Sequence, residues 1–125
     1  MLVLAYLLKT SPEWQGSILR IKTIVDKREE KEEQFKQLNN FISTANMDAE
    51  IHVFIKDKQN PYDMIREKSS DANVVFVGMK TPQEDETSES YSDYYTLLQK
   101  AIDGLSTTVM VLASENLDFN NIFKL

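Results

Sequence analysis

The sequence predicts an α/β protein: a three-layer sandwich with a mainly parallel four-stranded sheet and helices on both faces. The first sign is a set of four short runs rich in β-branched residues, Ile18–Val25, Ile51–Ile55, Asn73–Val77 and Thr107–Leu112, separated by segments with helical periodicity. Strands alternating with helices in this way are joined by crossovers around a parallel sheet. The second is size: 125 residues, 42% of them hydrophobic and 27% charged, suit one lobe that buries roughly two-thirds of its unfolded surface. In such sheets ligands bind in the loops at the carboxyl ends of the strands. Those loops carry little chemistry here, so composition and pattern point to an acidic domain that is not an enzyme.

Leu2–Leu8 is wholly apolar, too short to cross a bilayer, which takes about 20 residues, and without the basic flank of a signal peptide. It reads as a short buried helix, Leu2–Lys9, closed by Thr10-Ser11-Pro12. A chain that starts inside a larger fold would begin in the same way. Trp14 follows in a turn. In the first strand Arg20 and Lys22 alternate with Leu19, Ile21 and Thr23, leaving one face more solvated. Asp26–Glu33 carries both signs of charge and forms the exposed first turns of a helix reaching Ala45, with Phe35, Leu38, Ile42 and Ala45 as its apolar stripe. Ile51–Ile55 is the second strand. Pro61 opens a helix to about Lys68. Asn73–Val77 reads as a strand buried on both faces, ended by Gly78. Thr81–Ser90 is an acidic, hydroxyl-rich loop, and Tyr91–Ile102 a helix with Tyr91, Tyr94, Tyr95, Leu98, Ala101 and Ile102 on its buried side. Gly104 stops it. Thr107–Leu112 is the last strand, and Asn116–Lys124 adds a helical turn with Phe119, Ile122 and Phe123 packing back. A sheet order of 2-1-3-4 leaves strand two at one edge and strand four at the other. Strand four is too apolar to face water, so another protein surface is expected to cover it.

The net charge of −6 opposes a nucleic-acid partner or an anionic membrane surface. With no cysteine there is neither a disulfide nor thiol chemistry. His52 is the only histidine, mid-strand on the face opposite Ile51, Val53 and Ile55, and reads as structural; no serine elbow accompanies it. Glu84, Asp85, Glu86 and Glu89 lack the spacing of a calcium loop, and zinc prefers histidine and cysteine. The three glycines, Gly16, Gly78 and Gly104, are too far apart to cradle a phosphate. No catalytic, metal or cofactor residue is therefore assigned. If a small ligand binds, the switch-point rule puts it in the strand-end crevice between Asp26–Arg28 and Gly78–Lys80. Thr81, Thr87, Ser88 and Ser90 offer hydroxyls for phosphorylation within a loop already negative. Trp14, Tyr91, Tyr94, Tyr95, Leu98 and Met110 are candidate interface residues, since aromatic side chains supply contact area with a polar handle; ordinary core packing is the other reading of the tyrosines.

Three stretches together resemble the cytosolic C-terminal domain of cation–chloride cotransporters. They are Leu4-Ala5-Tyr6-Leu7-Leu8-Lys9 with Pro12-Glu13-Trp14 and Ile18-Leu19-Arg20-Ile21; Val74-Val75-Phe76-Val77-Gly78-Met79 with Tyr91, Tyr94 and Tyr95; and Thr108–Ala113 through Asp118-Phe119. The likeness is one of core residues across nearly the whole chain, and its second stretch is similar to prokaryotic relatives of these transporters. It implies a fold related to universal stress proteins and a regulatory lobe without chemistry, the second half of a larger cytosolic domain. Such a lobe hangs on the cytoplasmic side of the cell membrane below a transmembrane transport domain of the same chain, and its contacts are a homodimer and that domain. The phosphorylation sites of animal members have no matching segment here. The alternative is a free-standing universal-stress-protein-like domain binding a nucleotide, although the spaced glycines of that signature are missing.

Overall fold

The computed structural model describes residues 1–112; the helical turn expected over Asn116–Lys124, and the part of the resemblance beyond Leu112, lie outside them. The described chain is α/β, with four α-helices and two parallel two-stranded sheets. It divides into two compact units, Leu2–Met64 and Ile65 onward together with Met1.

In the first unit, helix α1 (Leu2–Thr10) buries Val3 and Ala5 and leads into a 3-10 turn, Pro12–Trp14. Strand β1 (Arg20–Val25) pairs in parallel with β2 (Glu50–Ile55), Arg20 opposite Glu50 and Val25 opposite Ile55. This register puts Ile21, Thr23 and Val25 on one face with Ile51, Val53 and Ile55, and Arg20, Lys22 and Ile24 on the other with Glu50, His52 and Phe54. Val25 and Val53 are buried, so the first face is the more covered one, as the alternation predicts.

Helix α2 (Arg28–Thr44) joins the two strands. Its start is held by Glu30, whose Oε2 accepts from the backbone N–H groups of Lys27 (2.9 Å) and Asp26 (3.1 Å). Its end is a Schellman turn: Met47 N–H donates to Ile42 O and Asn46 N–H to Ser43 O. That turn needs a left-handed residue, and Asn46 supplies it at φ 53°. The expected apolar stripe is only partly covered. Ile42 is buried, but Phe35 is exposed. Lys9 Nζ donates to Asp48 O at 2.9 Å, tying α1 to the turn before β2.

Helix α3 (Pro61–Ser69) contains the boundary between the units. In the second unit, β3 (Val74–Met79) pairs in parallel with β4 (Thr107–Leu112), Val74 opposite Thr107 and Met79 opposite Leu112. Helix α4 (Ser88–Ile102) connects them and buries Leu98 and Ala101. Arg66 closes its C-terminal end, its guanidinium donating to Lys100 O and, at 3.4 Å, to Ala101 O. These are carbonyls that a helix end leaves without partners. Asp103 leaves the helix in an extended conformation (φ −62°, ψ 130°), and Gly104, at φ 82°, takes the third position of the type II turn that follows, closed by Leu105 N–H donating to Ile102 O at 3.1 Å.

Four expectations change. Gly78 does not end β3: it is laddered opposite Val111, since glycine in an extended conformation pairs like any residue. Helix α4 begins at Ser88 rather than Tyr91, because Thr87 Oγ1 accepts from Ser90 N–H at 3.1 Å and caps it. Strands β3 and β4 are half-covered rather than buried on both faces; of their residues Val77 alone is buried. An uncharged β-branched run specifies a strand but not what lies on it. Finally, the hydrogen-bonded pairs are β1–β2 and β3–β4, the outer pairs of the order 2-1-3-4, each forming its own two-stranded sheet among the described residues.

Candidate functional site

The carboxyl end of β3 is organised by α4. Tyr91 and Tyr94 lie one helical turn apart, rings tilted at 53° with centroids 5.6 Å apart. Both hydroxyls grip the same residue: Tyr91 OH donates to Lys80 O at 3.0 Å, and Lys80 N–H donates to Tyr94 OH at 3.0 Å. The Lys80 ammonium sits 4.8 Å from the Tyr94 ring centroid and donates to Glu86 Oε1 at 2.6 Å. Glu86 Oε2 also accepts from Gln83 N–H at 3.2 Å. The Lys80 hydrogen bond, then the Gln83 N–H, hold the Glu86 carboxyl below its ordinary pKa of 4.5. The segment between β3 and α4 is thus a turn folded around one carboxylate, not an open loop.

The carboxyl end of β1 is built in the same way. A shallow cleft of about 460 Å³ lies over Ile24 and Val25, rimmed by Asp26, Glu29, Glu30 and Glu33. The backbone donors an anion would use there, the N–H groups of Asp26 and Lys27, are taken by Glu30. Asp26 itself is 4.0 Å from Lys56 Nζ. Each strand end therefore carries its own carboxylate where an anionic ligand's would sit, and the four acids around the first repel a phosphate.

The expected crevice residues fall in different units. Asp26 and Arg28 lie at the start of α2; Gly78 lies within β3 and Lys80 directly follows it, with Lys80 committed to Glu86 and Tyr94. Among the expected interface residues, Leu98 is buried and unavailable to a partner. Tyr91 and Tyr94 spend their polar handles on Lys80. Tyr95 and Met110 are half-buried, as is Trp14, whose carbonyl accepts from the N–H and hydroxyl of Ser17. His52 lies on the half-solvated sheet face: its Nε2 is 3.2 Å from Glu50 Oε2, the oxygen that also lies 3.5 Å from Arg20 Nε. Its ring stacks on Phe54 with centroids 6.4 Å apart. Thr87 caps α4; Ser88 and Ser90 stand exposed in its first turn.

Glu30, Glu86 and Arg66 are the organising residues that sequence reasoning passed over. Glu30 occupies the third helical position, where a capping glutamate belongs, but Lys27 replaces the serine or threonine that completes the signature. Glu86 was one acid among four. Arg66 acts at Lys100 and Ala101, a distance along the chain that no local pattern reveals.

No helix among the described residues is long and apolar enough to cross a membrane, and none of them form a group of three or more His, Cys, Asp or Glu able to hold a metal ion. No family model, curated protein or solved structure matches the chain.

Proposed function

We propose that the chain is a regulatory and assembly lobe of a cation–chloride cotransporter-like membrane protein. It lies on the cytoplasmic side, acts by dimerisation and by coupling to the transport domain, and performs no catalysis. The observation that carries this reading is the surface of α1. A helix apolar all round belongs inside a fold, yet Leu4 (47% exposed) and Leu7 (50%), one turn apart, face outward. A preceding lobe of the same protein covers that stripe, which also explains why Lys9 is the sole charge in α1. The resemblance of Leu4–Lys9, Trp14 and Ile18–Ile21 to the cotransporter domain supports the same assignment. In this reading β1 lies beside β3, so the two strand pairs join as one sheet of order 2-1-3-4 with helices on both faces.

The competing nucleotide-binding reading is weakened by Glu30 and Glu86, which occupy the anion positions at the strand ends. Sequencing the native gene upstream of the Leu2 codon tests the proposal. An open frame encoding another α/β lobe, preceded by several apolar runs of about 20 residues, is the expected result. A stop codon and ribosome-binding site there overturn it.

A further inference from the structure

We draw no further inference here: the strongest candidate, the uncharged face of the β3–β4 sheet on which Val109 stands exposed opposite Phe76, is an apolar surface patch, and nothing among the described residues shows what covers it.

Discussion

Replacing Leu98 and its neighbour Leu97 by alanine, one at a time, separates core from surface on a single helix. Leu98 is 2% exposed and Leu97 45%, yet both lie mid-helix in α4 and undergo the same change of helix propensity. Truncating a buried leucine removes three carbons at about 0.8 kcal/mol each, and the cavity left behind adds roughly 1 kcal/mol. Leu98→Ala should therefore cost about 3 kcal/mol, near 10 °C in Tm for a chain of this size. Leu97→Ala leaves no cavity and returns only part of its side chain to water, so about 1 kcal/mol or less is expected. Urea unfolding followed by far-UV circular dichroism gives both values at matched slopes. Sedimentation of the same two variants reads self-association, which the Leu98 change should leave unaltered wherever the protein stays folded. Equal losses at the two positions, a loss below about 1 kcal/mol at Leu98, or a dimer weakened by Leu98→Ala at full folding would refute the burial argument and restore Leu98 as an interface residue.

Two further expectations concern the turns. The Glu86 carboxyl is lowered below 4.5 in the folded chain by Lys80 and the Gln83 N–H, so its contribution is present above the unfolded value and is lost as pH falls through the folded one. Glu86→Gln should thus lower Tm at pH 7 and narrow the difference between pH 7 and pH 3; parallel pH profiles for the two proteins would count against the Lys80 clip. Asn46 adopts φ 53° at the end of α2, a conformation that glycine takes without strain and a β-branched residue resists by roughly 1–2 kcal/mol. Asn46→Gly should leave stability equal or higher and Asn46→Val should lower it, with the opposite ranking in thermal denaturation disproving the left-handed turn.

Much of the architecture was legible along the chain. Thr107–Leu112 matches the observed β4 residue for residue, and β1, β2 and the helices differ from expectation by a few residues at their ends. Helix α4 and strand β3 differ most. Thr87 caps α4 through a hydroxyl that looked like part of an acidic loop, and Gly78 looked like punctuation while pairing with Val111. The strand-end chemistry was read less well. Glu30 and Glu86 stood within charge runs, where no spacing distinguishes the one carboxylate that turns back onto the backbone from its solvated neighbours. Tyr91 and Tyr94 were visible as a pair, but not that the backbone N–H and C=O of one residue, Lys80, would engage both hydroxyls.

By itself the sequence determined which segments become strands and helices, that His52 faces away from Val53, and that β4 carries no charge. Those properties follow from the periods of 2 and 3.6 residues and from composition, which are local. The tertiary structure alone decided that Leu98 is core and Leu97 surface, that Arg66 closes α4, that Phe35, Leu4 and Leu7 remain exposed, and that Glu30 and Glu86 fill the strand ends. Each of these depends on which atoms meet across the chain, and burial and hydrogen bonding are settled by those meetings rather than by the order of residues.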